Sequence, residues 1–350
     1  MRHPAAIRHA ALIMLAALTW GSARAAPPAP APAPAPAPAI APATTLREAD
    51  LRIATVAYRL GSGGARFCSD RFPLTGLLLH HLPEYDGDGR RAQIALHALD
   101  RGPGVLATVA DSPAARSGLL AGDVLLAVNG ESFADPRTMA AEKDNKKRRQ
   151  MIEASEAQLE AQLRRGPARL RVLRAGREHE VTLIPAAGCP VRVRLARSTQ
   201  FNAFANGAYV IPTTRLLDFV QNDDELAIIL GHELSHNILG HKRRLEDQGV
   251  SGGFLRSLGK GASRIRATEE EADRLGLKLA WAAGYDITAA VPFWRRFYAA
   301  QGIQLQLFRT HPGLSARQRF VEEAVAELKG RSRTPAAAAE APDGATEKAP

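Results

Sequence analysis

Apolar and polar positions divide the chain into segments of different texture. Residues 45–60 (TLREADLRIATVAYRL) carry apolar residues at helical spacing and predict a helix. From about 66 to 186 the pattern shifts to short β-rich runs separated by turn residues: GLLLHHL, GVLATVA, DVLLAVNG, ARLRVLR and HEVTLIP. One charged helical stretch, 136–165, interrupts them. After Pro190 a short β segment, VRVRLA and then NAFANGAYVI, leads into helices from about 213 to 328. A strand-rich block followed by a helical block predicts an α+β chain, with one core in each block.

The ends differ from this body. Arg2 and Arg8, the apolar run Ala10–Trp20 and the small residues Ala23 and Ala25 predict a signal segment, 1–25, cleaved near Ala25. No cysteine follows that run, and no later segment is apolar for long enough to span a membrane. The expected mature chain is therefore exported and periplasmic, without an integral span. Residues 26–44 are almost pure Ala and Pro and read as an extended spacer. Residues 331–350 are a low-complexity tail that cannot build a core. This leaves 45–189, a helix plus the β-rich region, and 190–330, the helical region.

The chain has 350 residues and a net charge of +10. Aromatics are only 5%, and basic clusters such as Lys146–Arg149 stand beside Glu142 and Glu153, so they read as solvated helix surface and not as a nucleic-acid site. Cys68 and Cys189 are the whole cysteine content. In an oxidising compartment such a pair is most simply a disulfide.

The run SPAARSGLLAGDVLLAVNG, 112–130, places Gly118 and Gly122 at tight turns, opens a strand at Asp123 and turns again at Asn129-Gly130. Here the sequence resembles a bacterial PDZ domain, over roughly 66–186. The resemblance implies binding of extended or C-terminal peptides by strand addition, with Pro73-Leu74-Thr75-Gly76-Leu77 as the candidate carboxylate loop. A purely structural use of the fold stays open, and the long helix at 136–165 departs from a compact PDZ domain.

The chemistry concentrates in ILGHELSHNILGHKRR, 229–244. His232, Glu233 and His236 form H-E-x-x-H. Positions four apart share one helical face, so two imidazoles can hold one zinc ion and Glu233 can reach a water beside it. His241, nine residues after His232, faces about 180° away if the helix continues, and reads as structural or as a histidine near the helix end, where partial positive charge is favourable. A third ligand must come from elsewhere. In ATEEEADRLGLKLAWAAGYD, 267–286, Glu269 and Asp273 share a face, as ligand and as partner of a ligating histidine; a capping box of Thr268 and Glu271 is the alternative reading.

HELSH followed by EEEAD resembles the HtpX-like metallopeptidase family, which includes the CAAX prenyl endopeptidases. Matching Ala272-Asp273 to the family pattern puts the third ligand at Glu269, not at Glu270 or Glu271. Asn202-Ala203-Phe204-Ala205 resembles the family's substrate-side strand, and His311-Pro312 with Arg317 resembles its late motif. The resemblance covers about 195–325 and implies a mainly helical, gluzincin-type peptidase domain with a small β-hairpin. It implies one zinc per chain on His232, His236 and Glu269, with Glu233 as general base and Asp273 behind a ligand. The resemblance points to His311 and Arg317 near the cleft as catalytic residues that stabilise the oxyanion; His311 could instead cover the metal or be a turn residue before Pro312. The glycine-rich stretch 249–263 reads as a flap or as a plain connector. Unfolded or extended polypeptides are the implied substrates, in envelope quality control. A non-proteolytic chaperone with a silenced metal site is the alternative, and the intact Glu233 argues against it.

Overall fold

A computed structural model describes residues 46–250, 259–301 and 314–330. The expected signal segment, spacer and tail, His311, and residues 251–258 of the glycine-rich stretch lie outside the described residues.

The chain opens with α1 (Leu46–Gly63), which buries Ala49, Ile53, Val56, Ala57 and Leu60 along one stripe. The β-rich region follows. It runs through β1 (Phe72–Leu74), β2 (Leu77–His80), α2 (Gly87–His97), β3 (Gly104–Thr108), α3 (Pro113–Arg116), β4 (Val124–Val128) and β5 (Glu131–Ser132). It continues with α4 (Pro136–Ala141), α5 (Asn145–Leu163), β6 (Ala168–Arg174), β7 (Arg177–Leu183) and β8 (Ala186–Gly188). The main sheet has the order β2-β3-β4-β6-β7, with β5 on β4; β1 and β8 pair separately. Burial alternates along β6, so Ala168, Leu170 and Val172 enter the core with Val105, Leu125, Leu159 and Leu183. Ala175 and Gly176, both at positive φ, make the two-residue turn into β7.

The helical region contains the hairpin β9 (Ala203–Ala205) and β10 (Val210–Pro212). After it come α6 (Thr214–Phe219), α7 (Asp223–Ile238), α8 (His241–Asp247), α9 (Gly259–Ala282), α10 (Ala290–Gln301) and α11 (Leu314–Lys329). Asn222 caps α7 by accepting from the Glu225 amide, and Asp223, Asp224 and Glu225 place negative charge at its positive end. Helices α7 and α9 cross where Gly231 meets Gly276; a Cβ on Gly276 would stand 2.7 Å from the His232 nitrogen.

Four details depart from the sequence expectations. Helix α1, grouped there with the β-rich region, buries its stripe in the core of the helical region, against residues such as Leu230, Leu277 and Trp281. The charged stretch 136–165 is two helices, because Asp144 caps a new start at Asn145. VRVRLA is an extended segment with isolated bridges from Val193 to Val210 in β10 and from Ala196 to Thr213 just after it. Helix α2, too polar to show helical periodicity, was not expected.

Cys68 and Cys189 form a disulfide with a Cα–Cα distance of 5.4 Å. It joins the chain where it enters the β-rich region to where it leaves it. No described helix is long and apolar enough to cross a membrane.

Candidate metal centre and peptide groove

His232 and His236 project from one face of α7, and Glu269 reaches them from α9. Their ligand atoms all lie within 4.8 Å of one another. His232 Nε2 is 3.2 Å from His236 Nε2 and 3.5 Å from Glu269 Oε2, and His236 Nε2 is 3.5 Å from Glu269 Oε1. Two imidazoles and a carboxylate converging on one point are a donor set of the kind zinc takes. The His236 side chain is 15% exposed against 1% for His232 and 5% for Glu269, so the cluster opens to solvent on the His236 side. Glu233, next to His232 on α7, is buried.

Behind His232 stands a charged pair. Its Nδ1 lies 2.8 Å from Asp273 Oδ1. Arg317 donates from Nε to Asp273 Oδ2 at 2.8 Å and from Nη2 to Glu269 Oε2 at 3.2 Å. The guanidinium lies over Trp294, 4.1 Å from its centroid, and donates to the Tyr298 hydroxyl at 3.2 Å. Burial and Arg317 push the His232 ring down, but Asp273 and Glu269 outweigh them and carry it up to about 9. Burial alone would raise Asp273; Arg317 and His232 hold it below the usual range. Arg317 is thus enclosed beside the cluster, on its carboxylates.

Helix α7 does not continue to His241. It ends at Ile238; Gly240, whose φ of 62° is the left-handed conformation glycine adopts without strain, breaks the path, and α8 starts at His241. The break turns His241 back toward His236 and corrects the expectation that it faces away: the two Nδ1 atoms lie 2.8 Å apart. His241 Nε2 is 3.2 Å from Glu271 Oε2, which also accepts from Arg244 at 2.7 Å. The capping-box alternative for Thr268 and Glu271 is corrected too. Thr268 sits well inside α9 and donates to the Ile265 carbonyl.

Residues 177–252 and 245–325 match the model of Peptidase family M48, and residues 104–141 match a PDZ domain. Over residues 177–325 the chain is similar to peptidase family M48. Two curated relatives match at similar levels. The "Mitochondrial metalloendopeptidase OMA1" of Schizosaccharomyces pombe is 30% identical over 155 residues, covering 38% of this chain and 46% of that protein. The "Beta-barrel assembly-enhancing protease" of Yersinia pestis is 28% identical over 157 residues, covering 35% of this chain and 32% of that protein. The chain therefore spans less than half the length of either relative.

In the M48 region, Asn202 to Ala205 lead into and form β9, which pairs on one side with β10. Ala203 is buried while Phe204 is 42% exposed. The hairpin is tied to the ligand helix, since the Gly207 amide donates to Asn237 Oδ1, one residue after His236. In the PDZ domain, Pro73 to Leu77 form β1, the following turn and the start of β2. A cavity of about 480 Å³ lies between β2, the Glu156 and Leu159 side of α5, α1 and the extended segment around Val193. It is separate from the histidine cluster. On its wall, burial and then Glu84 push the Asp50 carboxyl up to about 6, against Arg197. Glu156 spans the two regions, accepting from His81, Arg194 and the Tyr209 hydroxyl. Sequence reasoning missed Trp294 and Tyr298 as supports of Arg317. Their spacing of four on α10 is a weak signal, because aromatic residues at that spacing are usually core.

Proposed function

We propose that the chain is an exported, zinc-dependent endopeptidase acting on unfolded or extended polypeptides in the cell envelope. The observation that carries this reading is the convergence of His232, His236 and Glu269 within 4.8 Å, with Glu233 beside the first ligand on the same helix. His232, His236 and Glu269 would hold the ion, one per chain. When bound, zinc supplies the Lewis acidity that polarises a scissile carbonyl and eases ionisation of the attacking water.

The chain's own residues do the rest. Glu233 takes the proton from the attacking water and delivers it to the leaving amine. Asp273 accepts from His232 Nδ1, which fixes the proton there and makes Nε2, facing His236 and Glu269, the ligand atom. Arg317 holds Asp273 and Glu269 in place, as a positioning residue. The outer edge of β9 offers backbone groups to an extended substrate, which disfavours folded proteins. The PDZ domain supports selection of substrates, with β2 as the edge to which a C-terminal peptide adds and the adjoining cavity as its groove. The Yersinia pestis relative is by name a protease that enhances β-barrel assembly, and a role in envelope quality control is the reading proposed from it for this chain. The predicted signal segment supports the periplasmic location.

The test is cleavage of reduced casein by the purified chain and by Glu233→Gln, with zinc quantified in both. Chelator-sensitive cleavage by the parent alone, at equal zinc, is expected. Equal cleavage by both would overturn the role of Glu233. Zinc bound by both with no cleavage by either would favour a binding protein.

A further inference from the structure

The geometry points to His241 and Glu271 as a second positioning pair, which fixes the proton of His236 and tightens the metal site. The inference rests on the zinc reading above.

It follows from where protons can sit. His236 turns Nε2 toward His232 and Glu269, so Nε2 is its ligand atom and must present a lone pair. A neutral imidazole with a bare Nε2 carries its proton on Nδ1. That Nδ1 is 2.8 Å from His241 Nδ1, and two ring nitrogens at this distance need one donor and one acceptor. His236 is therefore the donor and His241 Nδ1 the acceptor. His241 then holds its own proton on Nε2, which lies 3.2 Å from Glu271 Oε2. The carboxylate accepts it and is itself held by Arg244 at 2.7 Å.

The opposite polarity fails at both ends. It would require His236 to give up both ring protons, and it would set a bare His241 Nε2 against a carboxylate oxygen. His241 is 1% exposed, so water cannot easily substitute for either partner. The result parallels the Asp273 contact on His232: each ligating histidine has its distal nitrogen fixed, one by a carboxylate directly and one through a second imidazole. A direct carboxylate would pull harder on the ring proton. The imidazole intermediary orients His236 without adding a charge next to it, and Glu271 stays 43% exposed.

The experiment uses the full chain, competed for zinc against a chromophoric chelator. His241→Phe keeps a ring but cannot accept a hydrogen bond. His241→Gln can accept from His236 with its oxygen and donate to Glu271 with its nitrogen. His241→Phe is expected to weaken zinc binding about 10- to 100-fold, and His241→Gln to recover most of that loss. Equal affinity in parent and His241→Phe would overturn the proposal and leave the zinc reading intact. A parent that takes up no zinc would overturn both.

A measurement on the unmutated, zinc-loaded chain removes any dependence on how the variants fold. Long-range ¹H–¹⁵N spectra of the histidine rings are expected to show His236 protonated at Nδ1 and His241 at Nε2. A proton on His241 Nδ1 would overturn the proposal.

Discussion

Gly276→Ala tests whether the close crossing of α7 and α9 sets the metal geometry. A Cβ at Gly276 would stand 2.7 Å from the His232 nitrogen, 2.8 Å from the Gly231 carbonyl carbon and 3.0 Å from its oxygen. All three are backbone atoms, so no side chain can swing aside. Ordinary contact begins at 3.4 Å, so the helices must part by about 0.7 Å at the crossing. Asp273 lies one helical turn from Gly276 and Glu269 two turns away, so both move with α9. The 2.8 Å contact between His232 and Asp273 would stretch by a similar amount, past useful hydrogen-bond length. Overpacking of this kind costs about 1–3 kcal/mol. Helix propensity acts the other way, since Gly→Ala inside a helix gains about 0.5–1 kcal/mol. The sign therefore decides. Urea unfolding of the metal-free protein should show Gly276→Ala less stable than the parent by about 1–2 kcal/mol. Chelator competition should show zinc held about 10-fold or more weakly. A variant that is more stable, with unchanged zinc affinity, would refute the reasoning.

Two further outcomes follow from the site and the groove. Asp50 has a folded pKa of about 6 against 3.8 for an unperturbed carboxyl, so the folded protein binds the extra proton and loses stability as pH rises from 3.8 to about 6. Asp50→Asn should stabilise the protein at pH 7 by about 1 kcal/mol after discounting for solvent, and leave it unchanged near pH 3, as read by urea titrations at both pH values. Removing zinc with a chelator should lower the Tm of the parent by mass action and leave Glu269→Ala nearly unmoved at the same zinc concentration, measured by scanning calorimetry.

Much of the candidate site was legible because it depends on local periodicity. His232 and His236 share a face on any continuous helix, and α7 is continuous between them. Glu269 came from the family resemblance, and its convergence with the histidines needs the α7–α9 crossing that no local pattern encodes. The β runs were legible from alternation and turn residues: β2, β3, β4 and β6 fall within them, and β7 overlaps the last, starting two residues earlier at Arg177. The position of His241 was not legible, because one left-handed residue, Gly240, reverses which way it faces. The partner of α1 was hidden for a related reason: an apolar stripe shows which face is buried but not what covers it. Arg317, Trp294 and Tyr298 meet only in the folded chain, from α11 and α10.

The disulfide between Cys68 and Cys189 has a meaning for how such a chain is assembled from parts. Helix α1 lies on one side of the PDZ domain in sequence, yet packs with the helices on its far side. The core cluster of that region draws on no residue between Cys68 and Cys189. The PDZ domain is thus an excursion that departs and returns through one doorway, with Cα atoms 5.4 Å apart. A module with its two ends together can be exchanged or lengthened while the core cluster of the helices around it stays whole, although α1 also packs on β1, β3 and β8. The same helical body can therefore carry a different insert at this doorway.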